Sequence, residues 1–153
     1  MKTYIAFYKG PGSKPHHVAF HYGTCLFTLS RYSHVELLID GVAYSSSARD
    51  GGVRSKVIKD INDSNRWDLF EVDIDVKAAL EEFNRRKYRK YDYLGVTRFV
   101  LPFVPNIKDR DYCSETVSAM CGLSHTEKSP EDLFRVMVVD TKRRSIPDKE
   151  YME

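Results

Sequence analysis

A mixed fold of antiparallel strands and helices is what this sequence predicts, and three stretches predict it. Ser33 to Ile39 alternates, with Val35, Leu37 and Ile39 on one face. It runs into Asp40-Gly41, a strong two-residue hairpin signal, before a return strand from Val42 to Ser47. Val76, Ala79, Leu80 and Phe83 recur at helical spacing behind Asp75, a residue suited to capping a helix. Val117, Met120 and Cys121 do the same ahead of Gly122, which supplies the left-handed stop.

Length and composition bound the rest. At 153 residues the chain can bury about 70 % of its unfolded surface, and we read one domain over 1–140 followed by a polar tail over 141–153. With 24 basic and 22 acidic residues the net charge is +2, too balanced for nucleic acid or an acidic membrane to be a specific partner. No apolar run approaches the ~20 residues that span a bilayer. The N-terminus goes straight into a strand pattern without a signal-peptide core, so the expected location is cytoplasmic. Three cysteines, at 25, 113 and 121, match neither a disulfide framework nor a zinc site.

In chain order, residues 2 to 8 alternate as a first strand, and Gly10 to Pro15 is a loop by composition. We expect a short helix within 16–32. His17 and His21 there have i, i+4 spacing, but no third ligand follows, so neither they nor His16 make a metal site. Arg49 to Gly52 forms a turn into a strand over Val53–Ile58, and Trp67 to Ile74 reads as another. The basic run Arg85 to Lys90 fits a solvated helix end at least as well as contact with phosphates or an anionic polymer, and Tyr91 to Pro102 reads as helical. Ser129-Pro130 opens a further helix, and Val136 to Val139 a last strand.

The chemistry-bearing residues lie on the second and third of the opening stretches. With Asp111 or Tyr112 as its start, and Ser114 and Glu115 as capping candidates, the later helix carries Cys113 in its first turn. Unpaired backbone N–H groups and the helix dipole there favour a thiolate. Sharing a face with Val117, Met120 and Cys121, Cys113 points toward the core. Cys25 and Cys121 read as core filling. His34 lies on the strand face opposite Val35, Leu37 and Ile39. A two-residue turn pairs 39 with 42, 37 with 44, 36 with 45 and 34 with 47, so His34, Glu36, Ser45 and Ser47 form one polar stripe. A thiol and an imidazole brought together are a nucleophile and its base.

Histidine strand before cysteine helix is a distinctive order. Tyr32-Ser33-His34-Val35-Glu36-Leu37, Gly51-Gly52-Val53, Tyr91-Asp92-Tyr93-Leu94-Gly95 and Tyr112-Cys113-Ser114-Glu115 together resemble the circularly permuted branch of the NlpC-type papain-like superfamily. That branch includes the YiiX-like proteins and, more distantly, the lecithin:retinol acyltransferase family. The resemblance spans roughly 32–123. It implies an α+β papain-like fold, with an antiparallel sheet carrying His34 packed on a helix carrying Cys113. It also implies thiol-based hydrolysis of a peptide or acyl substrate, without a cofactor or metal.

The family places a third polar residue on the strand after the histidine, where this chain has Ser45, Ser46 and Ser47. A serine accepts from the imidazole but does not stabilise imidazolium as a carboxylate does. Glu36 is on the correct face yet about 7 Å along the same strand, which argues against a direct bond. The third member therefore stays open among Ser47, Ser45, Glu36 and a residue from elsewhere. Tyr112, Ser33, Tyr93 and Ser114 are the candidates for substrate binding. Hydrolysis of an amide, including a cell-wall-type peptide, is the leading expectation. Alternatives are thioester or lipid acyl transfer, using Phe99, Leu101, Phe103 and Val104 as an apolar wall, and a non-catalytic binding or inhibitory protein.

Overall fold

A computed structural model describes residues 2–10, 31–93, 110–124 and 129–140. The regions expected as the 10–15 loop (beyond Gly10), the helix within 16–32 (up to residue 30), the apolar wall at 99–104 and the tail lie outside the described residues. So do Cys25 and the histidines at 16, 17 and 21.

The described chain is a mixed α+β fold with a seven-stranded, mostly antiparallel sheet. The strands are β1 (Thr3–Tyr8), β2 (His34–Ile39), β3 (Val42–Ser47), β4 (Gly52–Lys56), β5 (Trp67–Glu71), β6 (Lys90–Tyr91) and β7 (Arg110–Asp111). They lie in the order β5-β1-β2-β3-β4-β6-β7, and only β6 and β7 pair in parallel. Three α-helices are described: α1 (Val76–Arg86), α2 (Cys113–Met120) and α3 (Pro130–Phe134).

The hairpin forms because Asp40 and Gly41 both adopt positive φ, 47° and 80°, the type I′ geometry that matches strand twist. Its ladder runs Ile39–Val42, Leu38–Ala43 and Leu37–Tyr44. The expected 36–45 and 34–47 pairs fall beyond it, and Ser45 Oγ instead donates to Val35 O at 2.7 Å. Helix α1 starts where Asp75 Oδ1 accepts from Ala78 N at 3.0 Å. Helix α2 is followed by Gly122 at φ 71°, the left-handed residue its sequence called for. Ser129 and Asp132 form a reciprocal capping box on α3.

Both sheet faces are covered. Ile5, Phe7, Val35, Leu37 and Ile39 pack with Val117 and Met120 of α2 and Ala79 and Phe83 of α1. Ala6, Tyr8, Leu38, Ala43 and Trp67 form a second cluster on the other face, so the His34 side is only partly polar.

Four expectations are corrected. Strands β4 and β5 stop at Lys56 and Glu71, short of Ile58 and Ile74. Tyr91 is in β6 rather than a helix. Arg135–Asp140 is π-helical, not a strand: the capped α3 carries on into it, and Leu133 and Val138, five apart, both reach the core as a wider turn allows. Finally, the basic run is not wholly solvated. Arg86 is 7 % exposed, and its guanidinium binds Asp111 Oδ2 at 2.9 Å and Glu82 Oε1 at 2.5 Å. Arg89 reaches the other Asp111 oxygen at 3.1 Å.

Asp111 thereby ties the start of α2 to α1, and its carbonyl also accepts from Ser46 Oγ and Asp92 N. Removing one partner of a buried pair strands the other charge, so Arg86→Ala is expected to cost about 3–5 kcal/mol in a denaturant melt. A change below 1 kcal/mol would mean that Arg89 alone neutralises Asp111. Gly52 is equally constrained. Its φ is +155°, and an added Cβ would be driven into Arg89 O and to 3.0 Å from Lys90 Cα. Gly52→Ala should therefore separate β4 from β6 and lower the melting temperature, whereas Gly51→Ala, with open space around it, costs only its positive φ.

Candidate active site

Cys113 is the first residue of α2, with Tyr112 in the N-cap position at φ −103° and ψ 174° and no side-chain cap bond. The first N–H groups of the helix thus have no carbonyl partner within it. Cys113 is 5 % exposed and belongs to the core cluster on the helix side. Thr116 N donates to Tyr112 O at 3.1 Å, closing the turn that holds the thiol.

His34 opens β2 at the sheet's end, where its ring reaches Cys113. Its Nε2 lies 2.8 Å from Glu36 Oε1, which leaves Nδ1 for the thiol. Burial on its own pushes the imidazole down. The charges of Cys113 and Glu36, each with a side-chain hydrogen bond, outweigh it and raise the group to about 9.

Glu36 is 1 % exposed. Arg54 binds it through both terminal nitrogens, Nη1 donating to Oε2 at 2.7 Å and Nη2 to Oε1. Burial would raise the Glu36 carboxyl, but the Arg54 hydrogen bonds and His34 hold it below the ordinary value. Arg54 is steadied in turn by Asp50 Oδ2, 2.8 Å from Nε.

These contacts answer the question left open by the sequence. The ~7 Å between alternate strand residues is a backbone spacing, and the Glu36 side chain closes it. Ser45 is spent on Val35 O and is paired across the ladder with Arg54. Glu36 and Arg54 are two strands apart, about 10 Å at the usual strand spacing, so they meet only over a small side chain on β3. Ser45 is the spacer beneath this ion pair, and the group at Nε2 is a carboxylate. Ser47 pairs with Gly52 and lines the cleft beside His34.

That cleft, of about 500 Å³, lies on the His34 face, and Ser33, His34, Ser47, Tyr91, Tyr8, Arg66 and Trp67 are among its lining residues. Of the four expected binding residues, Ser33 lines it. Tyr93 is 56 % exposed and donates to the cleft residue Ala48 O at 3.1 Å. Tyr112 and Ser114 are buried on the helix side and do not line it.

Sequence reasoning missed Arg54 and Tyr91. Arg54 was legible once Ser47 is paired with Gly52, because the register then places it on the face of Ser45. Tyr91, not Tyr93, is the tyrosine that lines the cleft with His34. Burial, and after it the charge at Cys113, push its phenol well above the ordinary value, so it remains a neutral O–H donor. Burial alone pushes the Cys121 thiol up to about 12. Among the described residues no group of three or more His, Cys, Asp or Glu side chains is placed to hold a metal ion, and no helix is long and apolar enough to cross a membrane.

Since the folded His34 titrates above its unfolded value of about 6.5, its stabilising contribution is fully present below pH 6.5. It is lost as the pH rises through about 9. The difference in denaturation midpoint between wild type and His34→Gln should shrink across that window. By NMR, the His34 ring should titrate near 9 and move down toward 6.5 in Glu36→Gln; titration near 6.5 in wild type would contradict the geometry.

Comparison with known proteins gives no match to a family model, to a curated protein or to a solved structure.

Proposed function

We propose that this chain is a cysteine-dependent hydrolase of amide bonds, built as a permuted papain-like domain. The observation that carries the reading is the continuous chain Cys113–His34–Glu36–Arg54, in which the imidazole is held between a thiol and a buried, arginine-anchored carboxylate. Histidine strand before cysteine helix supports the permuted order.

The chemistry follows from the roles of these groups. Cys113 Sγ, as thiolate, attacks the amide carbonyl carbon, and the C=O electron pair moves to oxygen. The backbone N–H groups at the start of α2 and the neutral Tyr91 phenol are the donors for that oxyanion, each well-placed one being worth about 3 kcal/mol. His34 then gives its proton to the leaving nitrogen as the C–N bond breaks, leaving a thioester on Sγ. Water attacks the thioester, His34 takes its proton, the C–S bond breaks and the pair is restored. Glu36 stabilises the imidazolium and fixes the ring orientation, as the third member of such a triad must.

The amide reading is favoured over a lipid acyl one by the charged cleft wall, which carries Arg49, Arg54, Lys56 and Arg66. A carboxylate rather than a serine at His34 Nε2 favours a catalytic pair over a non-catalytic binding protein.

The test is mass-spectrometric labelling with limiting iodoacetamide near pH 6. Cys113 should be modified well ahead of Cys121, and at least ~10-fold more slowly in His34→Ala. Equal or absent labelling at Cys113 in folded protein would sink the enzyme reading. Where labelling succeeds, amide and ester substrates are screened, and Glu36→Gln should lower kcat by about 10²–10⁴.

A further inference from the structure

Beside His34 the cleft also carries a charge arrangement that the triad does not use. Tyr8 is the cross-strand partner of His34 in the β1–β2 ladder, so the two side chains stand about 5 Å apart on one face. Two guanidinium groups converge on the Tyr8 ring. Arg66, at the start of β5, places its Cζ 5.6 Å from the ring centroid and donates from Nη2 to the Tyr8 hydroxyl at 3.0 Å. Arg49, from the turn between β3 and β4, places its Cζ 6.0 Å from the same centroid.

Arg66 is paired with Asp60, but among the described residues Arg49 has no carboxylate partner. Asp50, its neighbour in sequence, is taken by Arg54 and Lys56. Two like charges drawn to one ring repel each other; Asp60 offsets only that of Arg66, and an anion held by the Arg49 fork beside it offsets the other. Trp67, 4.8 Å from Tyr8 by ring centroids, and Ile58 supply an apolar wall beside this point.

We propose that Arg49 and Arg66, converging over Tyr8, bind an oxyanion (a carboxylate or a phosphate) carried by the substrate next to the bond that the Cys113–His34 pair acts on. Naming that anion as part of a substrate rests on the hydrolase reading; its binding does not. The substrate class is therefore an acidic amide, such as a peptide with a carboxylate one residue from the scissile carbonyl. A bare alkyl chain would leave Arg49 without a charge partner.

Trp67 is the chain's single tryptophan, so its fluorescence reports on this part of the cleft. Wild-type protein is titrated at low salt with succinate, inorganic phosphate and the neutral succinamide. A saturable response to succinate or phosphate, absent with succinamide and weakened at least ~10-fold in Arg49→Gln, is expected. Arg49→Lys should recover part of it, keeping the charge without the fork. Which anion binds more tightly identifies the group. Equal responses to succinate and succinamide, no response to either anion, or an unchanged affinity in Arg49→Gln would overturn the proposal. Arg49 is exposed in its turn, so these variants should keep the wild-type circular dichroism. The titration uses no chemistry at Cys113. Anion binding without a reactive thiol would sink the hydrolase alone, and a reactive thiol without anion binding would sink the oxyanion site alone.

Discussion

Glu36 is a carboxylate with 1 % of its surface exposed, in the middle of a sheet, and its burial is tolerable only because Arg54 meets it with a two-pronged bond. Taking a lone carboxylate out of water costs several kcal/mol, and a fork–fork arginine pair is the arrangement best able to offset it. The pair reaches from β2 to β4 across β3, so it also demands small residues on the strand between. Ser45, fully buried, meets that demand, and its hydroxyl repairs the backbone where the β2–β3 ladder ends. One ion pair therefore accounts for Ser45 on the strand between and for the fixed orientation of His34.

A second buried carboxylate does the corresponding work for the helix. Asp111 is 1 % exposed and is held by Arg86 and Arg89, two residues before Cys113. The sheet-borne histidine and the helix-borne cysteine are thus each anchored by their own arginine-neutralised carboxylate. Such anchoring suits a pair whose geometry must hold within about 0.5 Å to be useful. The close approach of β4 to β6 at Gly52, where Arg89 O leaves no room for a Cβ, sets Tyr91 in the cleft lining with His34 and Ser47.

The sheet divides the labour. Its helix-covered face is a conventional apolar core that includes Cys113. Its other face mixes a smaller apolar cluster with the cleft, and His34, at the strand's first residue, is where the two sides communicate. A histidine at mid-strand would be walled off from α2 by the sheet. At the strand's end the ring faces the cleft while still reaching the thiol.

Much of this was legible in the sequence. The hairpin followed from Asp40-Gly41, because few residue pairs accept two positive φ angles in succession. The caps at Asp75 and Ser129 and the stop at Gly122 followed from local backbone chemistry, which short-range sequence encodes. Helix end and strand face are periodic properties, so the placement of Cys113 at the start of α2 and of His34 on β2 was legible too. What the tertiary structure decided is everything that depends on which strands become neighbours. That Glu36 rather than a serine holds His34, that Arg54 backs it from two strands away, that Arg86 turns inward from a basic run and that Tyr91 stands where Tyr93 was expected are consequences of side-chain reach and long-range pairing. Periodicity reports the face a residue occupies; only the folded chain, by closing loops between distant segments, decides which residue it meets there.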